Sequence, residues 1–325
     1  MSTDLKSTAI LIPGRLHPHA VARLEEVFQI VRSDRPAGDA VSSQHAAQIR
    51  GIAASSPIDA SLIDSLPHLE IVSSFGVGYD HVDAKHAATR NVVVTNTPDV
   101  LTEEVADTAI GLLINAVREL PKAEQWLRDG RWVAEGPYRL TRGTLRGRRV
   151  GIFGMGRIGL AIARRIEAFG LPISYHNRRP VDGVTYQYFD TLVEMAANVD
   201  TLISVAPSTP QTEKAISAEI LSALGPTGVF VNIGRGTTVD EAALADALHS
   251  GTIHAAGLDV FYDEPNVPEE LLSAPNASLL PHVGSATIHT RQAMADLVVD
   301  NLIAWFSNGS ALTPVPETVD VTRRG

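Results

Sequence analysis

The 325-residue chain is too long for one ordinary hydrophobic core and fits two domains. Its 44% hydrophobic and 20% charged residues suit a soluble globular protein, and the lack of cysteine excludes disulfides, a thiolate nucleophile and cysteine-ligated zinc or iron–sulfur centres. A net charge of −10 argues against nucleic acid as a partner and requires any anionic ligand to be held by local positive charge.

The opening Met1-Ser-Thr-Asp-Leu-Lys6 has no basic stretch leading into an apolar run. The most apolar helical stretch, Thr108–Val117, is far short of the ~20 residues that span a bilayer. No signal peptide and no membrane contact are therefore expected, and a cytoplasmic location is the default. Ala9–Ile12, Gly51–Ala54, Glu70–Ser74 and Val92–Thr95 read as strands, separated by helical patterns such as His19–Glu26 and Ala60–Leu66. Thr102 is placed to cap a helix reaching Arg118, with Glu103 and Glu104 against its positive end. Val105, Ala109, Leu112, Leu113, Ala116 and Val117 recur there at helical spacing and predict one long buried face.

A second series opens at Arg149, with strands expected at Val150–Phe153, Ile173–His176, Leu202–Val205, Val229–Ile233, Ala256–Asp259 and Ser278–Leu280. A capping box pairs Thr191 with Glu194. The final helix is expected at about 287–307, followed by a surface strap around Pro314 and Pro316. The predicted fold class is α/β with two Rossmann-like domains. One holds a parallel dinucleotide-binding sheet of six strands or more; the other is a smaller flavodoxin-like domain.

Gly154-Met155-Gly156-Arg157-Ile158-Gly159 places a Gly-x-Gly-x-x-Gly between a strand and a helix whose Ile158, Ile162, Ile166 and Phe169 share a face. Gly154 permits the tight turn, Gly156 lets backbone approach a pyrophosphate, and Gly159 lets helix and strand pack closely. Three glycines alone are weak evidence; at the head of a six-strand series they indicate dinucleotide binding. The next strand ends in Asn177-Arg178-Arg179-Pro180, where an NAD site usually carries an acid, and the first acid here is Asp182. Two arginines suit the 2′-phosphate of NADP, the preferred cofactor, with NAD as the second choice. Their ordinary explanation is solvation at a strand end.

Three further strand ends carry Asn232-Ile233-Gly234-Arg235-Gly236, then Gly257–Phe261 with Asp263-Glu264-Pro265, then Pro281-His282-Val283-Gly284-Ser285. Ligands of open α/β sheets bind at carboxyl ends of strands, so an arginine, a carboxylate and an imidazole can converge there. Reducing a 2-keto acid needs a cation for the carboxylate, a proton donor and a hydride source. Arg235 supplies the clamp, His282 the proton, and Glu264 orients the ring and stabilises the imidazolium. The hydride comes from the nicotinamide. Each alone has a plainer explanation: one of 11 histidines, a turn glutamate, an arginine on a glycine loop.

These motifs, with Phe75-Gly-Val-Gly-Tyr-Asp80 and Asn96–Glu104, resemble the D-isomer specific 2-hydroxyacid dehydrogenase family over nearly the whole chain, above all its NADP-dependent glyoxylate/hydroxypyruvate and hydroxyphenylpyruvate reductases. The resemblance implies reduction of small 2-keto acids to D-2-hydroxy acids with Arg235, Glu264 and His282 as the catalytic set. It implies that backbone at Gly76, Val77 and Gly78 joins Arg235 and His282 in binding substrate. Cofactor contacts carry over to Gly154, Met155, Gly156, Arg157, Ile158 and Gly159, to Asn177, Arg178 and Arg179, and to Pro207, Thr212, Ile233, Gly234, Asp259 and Ser285. It implies a discontinuous substrate domain, 1–100 with 287–325, around a dinucleotide domain at 101–286, and a homodimer. A glutamine in place of Glu264 would have pointed to a formate dehydrogenase. Two alternatives share the fold: a nucleotide-sensing corepressor, which generally adds disordered tails, and a phosphoglycerate dehydrogenase, which needs basic residues beside 73–78 where none stands. Phe75, Trp132 and Tyr138 are candidates to line a pocket or to pack a core.

Overall fold

Continuous apolar runs produce strands buried on both faces, and parallel sheets covered by helices follow from them. The computed structural model describes residues 5–33 and 43–323 and divides into two compact units, Met1–Leu101 with Thr287–Gly325, and Thr102–Ala286. The chain start read above for a leader lies, at residues 1–4, outside the described range.

The first unit holds β1 (Ala9–Pro13), β2 (Gln29–Ser33), β3 (Ile49–Ala54), β4 (Ile71–Ser74) and β5 (Val93–Thr95). They form one parallel sheet in the order β2-β1-β3-β4-β5, the flavodoxin-like arrangement. Alternate residues leave opposite faces. Leu11, Ile52, Val72 and Val94 pack with Leu62 and Ile63, whereas Ile10, Ala53, Ile71 and Val93 pack with Leu24, Val298, Leu302 and Trp305. The last three belong to the helix Ile288–Asn308, capped by Thr287, so the chain end completes this core.

β2 was not anticipated: it is a half-exposed edge strand whose Gln29 and Arg32 break the apolar run. The tail is no surface strap. Val315 and Thr318 are each 1% exposed, the Val315 N–H donates to the Val94 carbonyl at 2.9 Å, and the Thr318 hydroxyl accepts from Val94 N at 3.0 Å. Those bonds cover the open edge of β5.

The second unit holds β6 (Val150–Phe153), β7 (Ile173–His176), β8 (Gln187–Tyr188), β9 (Thr201–Ser204), β10 (Val229–Asn232), β11 (Ala255–Leu258) and β12 (Ala277–Leu279). All run parallel in the order β12-β11-β10-β9-β6-β7-β8, which reverses between β6 and β9. β8 has only two residues, too few to carry a periodic signal. The helix Thr102–Arg118 buries its anticipated face, but Thr102 is its first helical residue rather than its cap. In the helix Arg157–Ala168, Ile162 and Ile166 are fully buried alongside Ala161 and Ala163; Phe169 stands at the C-cap and is 45% exposed, so it lies off the core face. Thr191 does cap its helix, accepting from Glu194 N at 3.2 Å. Among the described residues, no helix is long and apolar enough to cross a membrane.

Candidate active site

The glycine turn sits at the carboxyl end of β6, beside the reversal of strand order where open α/β sheets bind ligands. Its three glycines do different work. Gly154 has φ +105°, and a Cβ on it would lie 2.9 Å from Ala206 N. A Cβ on Gly159 would lie 2.2 Å from the Gly154 carbonyl oxygen, so helix and turn touch through backbone. A Cβ on Gly156 would meet nothing within 4 Å, and no side chain caps the helix that starts there. Open space in front of uncapped N–H groups suits a diphosphate.

Asn177 ties the end of β7 to this turn: its Oδ1 accepts from Met155 N at 2.7 Å, and its carbonyl accepts from the Tyr188 hydroxyl. Arg178 and Arg179 follow, both exposed. Thr212 folds back on its own loop, donating to the Pro207 carbonyl at 2.6 Å and accepting from Thr209 N. Ile233 and Ser285 are buried, while Arg157 and Pro207 are exposed and Ile158 is half-buried. These placements fit a dinucleotide: a backbone cradle, and two cations where an adenosine carboxylate partner is missing.

Arg235, Glu264 and His282 follow β10, β11 and β12 within the same unit. Glu264 Oε2 and His282 Nδ1 are 2.7 Å apart, and Glu264 Oε1 accepts from Phe261 N at 3.0 Å. Burial pushes the Glu264 carboxyl up, but these hydrogen bonds and the charges of His282 and Arg235 outweigh it and hold the group below the ordinary glutamate value. With Nδ1 occupied by the carboxylate, Nε2 is the ring nitrogen left for a ligand.

The histidine is fixed through its backbone as well. His282 has φ +52°, its N–H donates to the Asp259 carbonyl at 2.9 Å, and the next two N–H groups donate to the Asp259 carboxylate at 2.7 and 2.8 Å. Asp259 is 1% exposed; burial raises its pKa despite those two bonds. The Arg235 loop is anchored by Asn232, fully buried, whose Nδ2 donates to the Arg235 carbonyl at 2.9 Å and whose Oδ1 accepts from Gly234 N at 3.1 Å. A Cβ on Gly236 would lie 1.9 Å from the Phe261 carbonyl carbon. The arginine loop and the segment leading to Glu264 therefore interlock, backbone on backbone. Asn232 and the tether through Asp259 were given no structural role in the sequence reading; a polar residue closing a buried strand was the available signal.

Gly76, Val77 and Gly78 follow β4 in the first unit. Thr97 N donates to the Gly76 carbonyl and Asn96 Nδ2 to the Val77 carbonyl, each at 2.8 Å. Among the described residues, the N–H groups of Val77 and Gly78 donate to nothing. Phe75 packs within this unit, stacked on His17 at 5.9 Å with the Arg291 guanidinium 5.8 Å from its ring. In the second unit the Tyr138 hydroxyl donates to Glu119, and Trp132 is 59% exposed. No group of side chains suited to a metal ion occurs among the described residues.

Residues 110–284 match the sequence signature of the D-isomer specific 2-hydroxyacid dehydrogenase, NAD binding domain. The chain is 46% identical over 314 residues to a glyoxylate/hydroxypyruvate reductase A of Arabidopsis thaliana, covering 96% of this chain and 100% of that one. Identity and coverage are the same with a hydroxyphenylpyruvate reductase of Plectranthus scutellarioides. The crystal structure of an NADPH-dependent glyoxylate/hydroxypyruvate reductase from Sinorhizobium meliloti, in complex with NADP and malonate, superposes with a TM-score of 0.96 at 60% identity, over 98% of this chain and 99% of that one. With its two parallel sheets, its glycine turn and these relatives, the chain belongs to the D-isomer specific 2-hydroxyacid dehydrogenase family.

Proposed function

We propose that this dehydrogenase reduces small 2-keto acids with NADPH, glyoxylate and hydroxypyruvate first and aryl pyruvates after them, to D-2-hydroxy acids. The observation that carries the reading is the Glu264–His282 pair at 2.7 Å, at the carboxyl edge of the sheet that bears the glycine turn. NADPH, when bound, supplies the hydride that reaches the carbonyl carbon. The turn Gly154–Gly159 would hold its diphosphate, and Arg178 and Arg179 its 2′-phosphate.

The remaining work falls to side chains of this chain. Arg235 holds the substrate carboxylate by charge and by its planar fork of donors. His282, as imidazolium, gives its Nε2 proton to the carbonyl oxygen, so that ketone, hydride and proton make the alcohol and leave a neutral ring. Glu264 accepts the hydrogen bond from Nδ1–H and keeps the ring oriented through the transfer. A homodimer and a cytoplasmic location belong to the same proposal. The dimer is supported by the helices Leu120–Arg128 and Arg131–Glu135, which contain no buried residue and expose Leu120, Leu127, Trp132 and Val133, followed by Leu140.

Coenzyme oxidation with NADPH and with NADH, each against glyoxylate, hydroxypyruvate, phenylpyruvate and pyruvate, tests the reaction. Turnover favouring NADPH is expected, and the ranking of acids measures the pocket. Tight coenzyme binding without turnover of any keto acid overturns the reading.

A further inference from the structure

The second unit carries a basic cleft on the edge of its sheet opposite the catalytic residues. Arg148, Asp200, Thr227 and His254 line it, and they precede β6, β9, β10 and β11 respectively. Those strands are parallel, so their starts share one edge, while Arg235 and Glu264 follow the ends of β10 and β11 on the other. The cleft measures about 400 Å³, a size that accepts a small metabolite.

Its walls are set by packing. Arg148 is 8% exposed; its Nε donates to Thr201 Oγ1 at 2.8 Å and its Nη2 to the carbonyls of Thr227, at 2.7 Å, and Asp200. A Cβ on Gly143 would lie 2.3 Å from the Val117 carbonyl oxygen, so the segment 142–148 is pressed against the end of the helix Thr102–Arg118.

The charge balance of the cleft is positive. Asp200 is paired with Arg149, and the buried Glu119 with Arg139 and the Tyr138 hydroxyl. Arg142 and Arg146 also line the cleft, and among the described residues neither pairs with a carboxylate. His254 also lines the cleft, and its Nε2 is buried and has no hydrogen-bond partner. Burial, opposed by Glu119 and reinforced by Arg148, Arg142 and Arg139, keeps this histidine below the ordinary value.

In a chain of net charge −10, two unpaired guanidinium forks lining one cleft form a local anion trap. We propose that this cleft binds a small phosphate-bearing anion, gripped by Arg142 and Arg146. The ligand is either free phosphate or a phosphomonoester of metabolite size, and it binds independently of the dinucleotide.

Calorimetric titration of the intact protein with inorganic phosphate, and separately with ribose 5-phosphate, tests this with and without saturating NADPH. One ligand per chain is expected in both conditions. The Arg142→Ala/Arg146→Ala variant, altered only at exposed side chains, should keep its unfolding temperature and reductase rate while binding at least ~10-fold more weakly. Arg178→Ala/Arg179→Ala should bind phosphate as the parent does. Tighter binding of ribose 5-phosphate identifies a phosphomonoester ligand, and equal affinity identifies phosphate itself. No binding, displacement by NADPH, or unchanged affinity in Arg142→Ala/Arg146→Ala overturns the proposal.

Discussion

His282 is one nitrogen committed and one nitrogen free. Its Nδ1 is held by Glu264 at 2.7 Å, which fixes both the ring plane and the position of Nε2. Replacing it with alanine removes the proposed proton donor and leaves the glycine turn untouched. His282→Ala should therefore lower turnover ~10²–10⁴-fold with NADPH affinity retained, as read by stopped-flow and fluorescence titration. Turnover near that of the parent would remove His282 from the role. Arg178 and Arg179 are proposed to act at a different atom, the 2′-phosphate. Their joint replacement by alanine should weaken NADPH by at least ~10-fold more than NADH, and equal losses for the two coenzymes would falsify the assignment.

Between elements, the active loops are held by contacts that linear sequence displays poorly. Gly236 is the sharpest case, since a methyl group there would overlap the Phe261 carbonyl, whose segment carries Glu264. Gly236→Ala should force the loops of Arg235 and Glu264 apart, lowering kcat and the unfolding temperature together; an unchanged rate would show that the interlock is dispensable. The candidate catalytic residues were nominated from the sequence because strand ends and glycines announce themselves in order along the chain, and the structure pairs two of them, Glu264 and His282. Asn232 and Asp259 were less so, because the backbone groups they satisfy become neighbours only after folding. The same distinction separates the strands: β6 and β7 were placed to the residue by their apolar runs, whereas β2 is a polar-interrupted edge and β8 is two residues long. Phe169 shares the helical period of Ile158, Ile162 and Ile166, yet it is the C-cap and faces outward, since periodicity does not say where a helix ends.

Across the whole molecule, the two most exposed large apolar side chains among the described residues lie on one segment. Val133 is 96% and Leu140 94% exposed, with Trp132 and Leu127 above half. Monomeric proteins rarely leave such a run to water, and a second copy of the chain is the proposed cover. Trp132→Glu together with Val133→Lys should convert the dimer to monomers in sedimentation velocity, without loss of secondary structure. An unchanged association state, or a parent protein that sediments as a monomer, sinks the proposal. The tail works at this scale too: residues 313–318 return to the far edge of the first sheet and bury Val315 in a core laid down from the other end of the chain.

The left-handed backbone of His282 has a consequence for how this position can change. At φ +52° a Cβ is disfavoured by about 1–2 kcal/mol, whichever side chain it carries. Alanine keeps that strain and loses the imidazole; glycine loses the imidazole and the strain together. A glycine variant should therefore outlast the alanine variant on heating, the reverse of their usual ranking, and calorimetry of the two reads the difference directly. Thermostability alone would drift this site toward glycine. On the proposed mechanism, selection for the reaction keeps histidine there, and the identity of residue 282 in a relative separates a working reductase from a fold retained for another purpose.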